Sequence, residues 1–443
     1  MIRVGVVGLS PKTTPVLLNP MRKLREHIKV VGVAPNVGQK RTEEMGKYAK
    51  ENDIERVFDD VSELLKDPTI NTVFVPTNAS TKVEEIGRAL SAGKHVISES
   101  PTALNRNDAA KLVEEAKQQD RLLIETHHFL HHPFLKHVFR NIVNTNVIGS
   151  PLGIKINLKH GFNVAALKSR GATLECGPHT IALINRIASS LFRIPAISSA
   201  FHSVGTLAKD LERQSVFHCL LMSDFKEEPV PLLVKQSVIS NDPCSTLHIV
   251  GTQAEVLVNN WWDVNEDTEV LIRRKKEDDE TNKIVVQRLQ NPFPDRETAF
   301  EHQLGHIISA IRSGSYGEPL DHSPQNVIAN AELLQYANEL MEDPQAYRLR
   351  TAFHDKLPQH MRGFMPSDSA FYTNFVNAFE RVEDDSVKVG SPTYDSVPPR
   401  SLLSSDVLRS LNLLDSAFFH QSGISIEEFF SPDRNPAHNL GDF

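Results

Sequence analysis

Residues 89–101 carry the sequence ALSAGKHVISESP, which predicts the end of a helix, a short buried strand and the loop after it. Gly93 stands where a helix C-cap favours glycine, and His95–Ser98 is predicted to be the strand. In an open parallel sheet, such a loop borders the crevice in which ligands bind. The candidate ligand-binding residues of this loop are Glu99, Ser100 and Pro101.

The first 126 residues alternate short apolar runs with amphipathic stretches, which is typical of βαβ units. Strands are predicted at Ile2–Gly8, Lys29–Ala34, Val57–Phe58, Thr72–Val75, His95–Ser98 and Leu122–Glu125. Helices are predicted near Pro20–Glu26, Lys40–Glu51, Val61–Leu65, Lys82–Ser91 and Arg106–Gln119. Asn19 and Asn105 are expected to cap two of these helices. Right-handed crossovers then give an α/β domain with a doubly wound parallel sheet over residues 1–126.

From residue 151 the pattern changes to long strands separated by polar turns. These strands are predicted at Ile154–Leu158, Val216–Phe225, Val230–Ser240, Thr246–Asn259 and Glu269–Lys276. They imply a large, mostly antiparallel sheet in a second, α+β domain over residues 127–350. Residues 351–443 are predicted to form a helical extension with a loose tail. Its helical pair at 375–423 echoes residues 300–341, either through internal duplication or by coincidence.

Composition bounds the class of protein. The chain has 443 residues, enough for more than one core, and its formal net charge of −8 argues against a nucleic-acid surface. Its three cysteines have no CxxC spacing, so neither a disulfide framework nor a zinc ribbon is predicted. No apolar run reaches the roughly 18 residues of a membrane span, and no signal peptide pattern is present. We therefore expect a cytoplasmic protein that binds neither nucleic acid nor a membrane.

The turn after the first strand, residues 8–13 (GLSPKT), is a degenerate form of the G-x-G-x-x-G pattern. That pattern lets the backbone approach a pyrophosphate and lets the helix pack on the strand. Gly8 keeps the first glycine, Ser10 could donate a hydrogen bond to a phosphate, and Thr13 is expected to push the helix outward. The turn either binds a dinucleotide or no longer binds one tightly.

Asn36 follows the second strand, where an acidic residue would bind ribose hydroxyls and a basic one would favour a 2′-phosphate. Asn36 fits neither role cleanly, and Lys40 and Arg41 follow a turn later. This position therefore leaves both NAD and NADP open, and a plain turn fits equally well.

Two further groups of residues are candidates for chemistry. Glu175 and His179 are four apart on a predicted helix, so a carboxylate and an imidazole share one face. Histidine is suited to proton transfer near neutral pH. The run at 125–133 (ETHHFLHHP) makes His127 and His131 candidates for substrate contact, the alternative being buried, hydrogen-bonded rings. No ligands of matching spacing surround the run, so no metal site is predicted.

Residues 92–101 resemble the A-G-K-H-V-x-x-E-K-P motif of the Gfo/Idh/MocA family, the glucose–fructose oxidoreductase and inositol dehydrogenase group. The resemblance spans about residues 2–340, and residues 125–133 are most similar to the dihydrodiol and D-xylose dehydrogenase branch. It implies a Rossmann domain that binds NAD or NADP, and a sugar or diol substrate. It also implies a homo-oligomer formed through the sheet of the second domain.

The resemblance also implies residue roles. Residues 175–179 resemble the family's D-x-x-x-H motif with its Asp replaced by Glu175, so His179 would be the acid/base and Glu175 would hold the substrate. The family lysine that touches nicotinamide and substrate is replaced by Ser100, which would be a weaker catalytic group. Pro76-Thr77-Asn78 resembles the family's T-P-N loop. The cofactor-binding residues would be Gly8, Ser10, Asn36, Thr77, Asn78, Glu99, Ser100 and Pro101.

Two functions follow from the resemblance. One is an NAD(P)-dependent oxidoreductase that transfers a hydride between nicotinamide and a sugar or diol hydroxyl or carbonyl. The alternative is a catalytically silent dinucleotide-binding regulator that binds another protein, as does the galactose-pathway repressor of yeasts. That relative also lacks the lysine, so Ser100 leaves both functions open.

Overall fold

A computed structural model describes the chain from residue 1 to residue 342, with gaps at 10–12, 77–78, 162–170, 192–194, 199–202, 209–210, 224–229, 241–242, 276–283, 294–297 and 317–322. The extension predicted at 351–443, with the duplication considered for it, lies outside the described residues.

The N-terminal part of the chain folds around a six-stranded parallel sheet in the order β3-β2-β1-β4-β5-β6. Its strands are β1 (Ile2–Val7), β2 (Ile28–Ala34), β3 (Arg56–Val57), β4 (Thr72–Val75), β5 (His95–Glu99) and β6 (Leu123–Thr126). The intervening helices are α1 (Asn19–Lys23), α2 (Glu43–Glu51), α3 (Val61–Lys66), α4 (Ala79–Ser91) and α5 (Arg106–Gln118). The doubly wound parallel sheet is confirmed. Its strand order reverses between β1 and β4, which opens a crevice at their carboxyl ends.

The two predicted helix caps have different outcomes. Asn105 caps α5 as predicted, because its side-chain oxygen accepts the N–H of Asp108 at 2.9 Å. Asn19 does not cap α1, and that prediction is wrong. A π-helical turn over Thr14–Leu18 runs directly into this helix, so the backbone is already helical at residue 19. Residue 19 is therefore not the start of a helix, where unpaired backbone N–H groups would need a capping side chain.

The second sheet has nine strands in the order β15-β14-β13-β12-β7-β11-β10-β8, with β9 paired to β10. The strands are β7 (Pro151–Lys159), β8 (Pro195–Ser198), β9 (Ser203–Ala208), β10 (Leu211–Ser223), β11 (Val230–Ser237), β12 (Cys244–Gly251), β13 (Ala254–Asn259), β14 (Glu269–Lys275) and β15 (Ile284–Gln290). The β11–β7 pair is parallel, and the other pairs are antiparallel. The predicted, mostly antiparallel sheet is therefore confirmed.

Helices connect and cover the two sheets. They are α6 (Pro133–Asn141), α7 (Thr145–Ile148), α8 (Gly171–Leu191), α9 (Thr298–Ser313) and α10 (Pro324–Glu342). α8 packs on the second sheet, whereas Leu304 and Ile307 of α9 enter the same apolar core as Val4 and Ile97 of the first sheet. α10 contacts both α5 and α8. The last two helices thus return to the first sheet, and the domain limits at residues 126 and 350 stay predictions.

His132 begins α6 as its N-cap. Its Nδ1 accepts the N–H of Phe134 at 3.2 Å, and Pro133 is the first helical residue. Burial, with a smaller contribution from His302, lowers the pKa of His132 to about 4. The folded protein therefore keeps this ring neutral at a pH where an unfolded histidine, with its ordinary pKa of 6.5, takes up a proton.

We predict that the protein loses stability as the pH falls from 6.5 to about 4, because the unfolded chain binds a proton at residue 132 that the folded chain does not. His132→Asn keeps a capping oxygen for Phe134 but does not titrate, so its free energy of unfolding should fall less steeply. Urea unfolding across this pH window measures the slope. His137→Asn, at an exposed position of the same helix, is the control. Equal slopes for all three proteins would contradict the assignment.

Candidate active site

A buried lysine holds the loop after β5. Lys82 of α4 is 1% exposed, and its Nζ donates to the carbonyl oxygens of Glu99 at 2.5 Å and Pro101 at 2.9 Å. These carbonyls flank Ser100, whose peptide bond to Pro101 is cis. The carboxylate of Glu99 accepts the hydroxyl hydrogen of Thr126 on β6 at 3.0 Å. A cation from α4 and a hydroxyl from the next strand therefore fix this loop.

Glu125 of β6 is a buried carboxylate that joins three parts of the chain. Its Oε1 accepts the N–H of Thr102 at 2.7 Å, and its Oε2 accepts Nδ2 of Asn330 on α10 at 2.8 Å. Nε2 of His127 lies 3.0 Å from the same Oε2. Burial alone would raise the pKa of Glu125, but the hydrogen bonds from His127, Asn330 and Thr102 outweigh it and lower the pKa to about 2. The group is therefore ionised throughout the neutral pH range.

His179 of α8 reaches the carboxyl end of β6. The centroid of its ring lies 6.1 Å from that of His127, 6.4 Å from that of His128 and 5.6 Å from the Trp262 ring. The ring of Trp262 also packs against His128, at 5.6 Å. The structure thus brings together His127 and His179, which the sequence placed in separate motifs.

Two predicted residues lie at the margin of this group. Glu175 is on α8, one turn before His179, and is partly exposed. His131 ends the 3₁₀ turn His128–His131, where its ring centroid is 5.2 Å from that of His306 on α9. The substrate contacts of both residues stay predictions.

The opposite end of the crevice lies at β1 and β2. Gly8 has a φ of 78°, which favours glycine, and its N–H donates to the carbonyl oxygen of Ala34 at 2.8 Å. Asn36, just after β2, has a buried Oδ1 with no hydrogen-bond partner among the described residues. Glu85 of α4 is buried nearby, and its Oε1 accepts the N–H of Val37 at 3.2 Å. This end therefore offers an unpaired amide oxygen beside a buried carboxyl group.

The remaining residues predicted at this end divide into two groups. From the sequence, Arg41 left the binding of a 2′-phosphate, and so of NADP, open. In the structure Arg41 extends to β3, where its Nη1 lies 3.5 Å from the carbonyl oxygen of Val57 and from Oδ1 of Asp59. The other predicted residues lie outside the described part of the chain, namely Ser10, Thr77 and Asn78.

Unpaired buried polar atoms occur just after β2, β5, β6 and β13. Without a hydrogen-bond partner among the described residues are Asn36 Oδ1, Ser100 Oγ, Thr102 Oγ1, His127 Nδ1 and Trp262 Nε1. Buried polar groups are almost always paired, so such a series is what a polar ligand would satisfy. A dinucleotide has donors and acceptors along its whole length, and this set of residues fits it.

The histidine run does not converge on one point. Nε2 of His127 lies 3.0 Å from Oε2 of Glu125, whereas Nε2 of His128 lies 3.0 Å from the carbonyl oxygen of Trp262. Within the described ranges, no group of three or more His, Cys, Asp or Glu residues is placed to hold a metal ion.

A separate observation is that no helix in the described part of the chain is long and apolar enough to cross a membrane.

Sequence reasoning missed four residues that shape this site: Lys82, Glu125, Asn330 and Trp262. Asn330 is 205 residues from Glu125, and Lys82 lies on a helix predicted only from its apolar spacing. Glu125 did give a signal, since a carboxylate that ends an apolar strand needs partners when it is buried.

Residues 2–127 match the model of the oxidoreductase family with an NAD-binding Rossmann fold, Gfo/Idh/MocA. This part of the chain is therefore similar to the NAD-binding Rossmann domain of that oxidoreductase family.

Two curated relatives match part of the chain. A dTDP-3,4-didehydro-2,6-dideoxy-alpha-D-glucose 3-reductase of Saccharopolyspora spinosa is 34% identical over 149 residues, which are 33% of this chain and 42% of the relative. The trans-1,2-dihydrobenzene-1,2-diol dehydrogenase of Homo sapiens is 30% identical over 127 residues, 28% of this chain and 36% of the relative. The chain thus spans less than half the length of these curated relatives.

A solved structure matches over more of the chain. It is a 3-ketoreductase from Actinomadura kijaniata in complex with NADP, with 20% identity and a TM-score of 0.60. The match covers 76% of this chain and 97% of that chain. At this identity, the likeness shows that the two proteins share a fold.

We predict that Lys82→Met destabilises the protein, because the buried carbonyl oxygen of Pro101 would lose this donor and that of Glu99 would keep the hydroxyl of Ser98, at 3.2 Å. A buried polar group left unpaired costs about 1–3 kcal/mol. Lys111→Met removes an exposed lysine, 3.7 Å from Asp108, and should change stability by no more than about 0.5 kcal/mol. Urea unfolding of the three proteins gives the comparison. A Lys82→Met variant as stable as the wild type would show that this lysine does not hold the loop.

Proposed function

We propose that the protein is an NAD(P)-dependent oxidoreductase that transfers a hydride between nicotinamide and a hydroxyl or carbonyl carbon of a sugar or diol. The observation that supports it best is the position of His179 at the carboxyl end of β6, with its ring 6.1 Å from that of His127. His127 is in turn connected through Glu125 to the loop that contains Ser100. Imidazoles thus lie beside the loop that resembles the family's nicotinamide-binding segment.

The proposed cofactor site runs along the crevice. When bound, the dinucleotide supplies the hydride chemistry, and the chain positions it. Gly8 lets the backbone approach the pyrophosphate, and Asn36 Oδ1 accepts a hydrogen bond from a ribose hydroxyl. The nicotinamide half borders the loop after β5. The other proposed contacts are Ser10, Thr77, Asn78, Glu99, Ser100 and Pro101.

The proposed substrate site lies between this loop and α8. The resemblance implies His179 as the group that exchanges the substrate proton, and Glu175 binds a second hydroxyl from the same helix face. His127 and His131 are the proposed substrate contacts on the other side. Since the Saccharopolyspora spinosa relative is named for a dTDP-linked deoxyhexose, nucleotide sugars are the first substrates to test.

Ser100 favours a second candidate, a dinucleotide-binding regulator without turnover that binds another protein. A lysine at this position would stabilise charge on the reacting oxygen, and such a group is typically worth about 2.7–4 kcal/mol in the transition state. The ammonium of Lys82 is close to this loop, but it donates to the carbonyls of Glu99 and Pro101. Dinucleotide binding without turnover of any sugar or diol would support the regulator.

We predict that at least one of NAD, NADH, NADP and NADPH raises the Tm of the protein. With that nucleotide, the wild type should oxidise or reduce sugars or diols, and the absorbance of the nicotinamide measures this turnover. Gly8→Val should abolish the shift in Tm, because valine disfavours a φ of 78° and fills the approach to the pyrophosphate. Gly314→Val is the matched control, since its φ is 67° and it follows α9 away from the crevice. No shift with any of the four nucleotides would contradict the proposed function.

We also propose, from the family resemblance, that copies of the chain associate through the second sheet. Light scattering tests this proposal. A wild type that is monomeric at micromolar concentration would contradict it.

A further inference from the structure

We propose that Glu125 and His127 form an acid/base pair, and that Nδ1 of His127 exchanges the substrate proton. This inference rests on the proposed function and changes its proton-handling group from His179 to His127. Its basis is the hydrogen bonding of the His127 ring, the burial of the pair and the position of His127 beside Ser100.

Hydrogen bonding fixes the tautomer of the His127 ring. The Glu125 carboxylate only accepts hydrogen bonds, so Nε2 at 3.0 Å from it must carry the hydrogen. Nδ2 of Asn330 lies 3.3 Å from the same Nε2, but it is a donor and is directed to Glu125 at 2.8 Å. Nδ1 of the neutral ring is therefore the atom with a free electron pair.

This Nδ1 is buried and has no hydrogen-bond partner among the described residues. The ring is held edge-on to those of His179 and Phe129, with centroids 6.1 and 6.3 Å away. A buried acceptor in this condition is satisfied by a ligand that brings a donor, such as a hydroxyl group.

The register of the first sheet places this atom near the nicotinamide loop. Glu99 of β5 pairs with Thr126 of β6, so Ser100 and His127 are the next residues on two adjacent parallel strands. The family's lysine position and the proposed base therefore lie side by side. In the proposed site, a substrate oxygen bound beside residue 100 is next to the strand that His127 follows.

The proposed step conserves atoms and charge. In the oxidation of a secondary alcohol, the hydroxyl proton passes to Nδ1 of His127 while the hydride leaves the adjoining carbon for the oxidised dinucleotide. The products are a carbonyl compound, the reduced dinucleotide and an imidazolium whose charge is balanced by Glu125. Reduction runs the same transfers in reverse, with Nδ1–H as the proton donor.

Three glutamine variants test the assignment. His127→Gln places an amide N–H near the position of Nε2, so the hydrogen bond to Glu125 is kept while the base at Nδ1 is lost. We expect kcat to fall by about 10²–10⁴-fold, with loss of the pH dependence that the base imposes and with the nucleotide-induced shift in Tm retained. His179→Gln provides the comparison, and His137→Gln, at an exposed position, should match the wild type.

The outcomes separate this inference from the proposed function. Turnover by His127→Gln with the wild-type pH profile, together with its loss in His179→Gln, would overturn the pair and assign the base to His179. A wild type that binds dinucleotide but turns over no sugar or diol would refute the proposed function itself.

Nitrogen NMR of labelled histidines tests the pair without turnover. We expect one neutral ring protonated at Nε2 whose signals vanish in His127→Gln and move in Glu125→Gln. A neutral His127 ring protonated at Nδ1 would overturn the inference.

Discussion

The site depends on one interaction, the satisfaction of a carboxylate buried at the end of β6. An ionised carboxyl group removed from water costs several kcal/mol unless donors replace the water. The donors for Glu125 come from the loop after β5, from the turn after β6 and from α10. Moving any of these three elements would remove one donor from this buried charge. Their positions are therefore coupled through one side chain, and His127 receives its orientation from the same requirement.

The fold could be predicted largely from the sequence, because its signals are local. Each parallel strand is a short apolar run, and each long strand of the second sheet alternates between two faces. The cap at Asn105 is equally local, since it spans three residues. Asn19 shows where local reasoning fails. Its neighbour Pro20 favoured a helix start at that point, but the preceding π-helical turn extends the helical backbone upstream.

The candidate site could be predicted only where a motif carries the signal. His179 and the loop after β5 were found in this way, whereas Lys82 and Asn330 act across the fold and have no spacing that marks them. The histidine run shows the same limit in a short segment. An i, i+4 pairing of His127 with His131 presumes an α-helix. The chain instead forms a 3₁₀ turn with about three residues per turn, and His131 is carried towards α9.

The two buried charges of the site have different relations to the proposed chemistry. Lys82 is directed to two backbone carbonyls, so its charge fixes the shape of the loop after β5. Glu125 accepts one of its hydrogen bonds from a ring nitrogen of His127, so its charge acts on a group that can itself gain or lose a proton. Where the family resemblance implies a lysine, Ser100 provides no fixed cation, and the ring proposed to transfer the proton follows the adjacent strand. Because β5 and β6 are adjacent and in register at Glu99 and Thr126, the distance between them is a single strand spacing, about 5 Å. An acid/base function could move between these two strands during the divergence of such a site without any change in the fold.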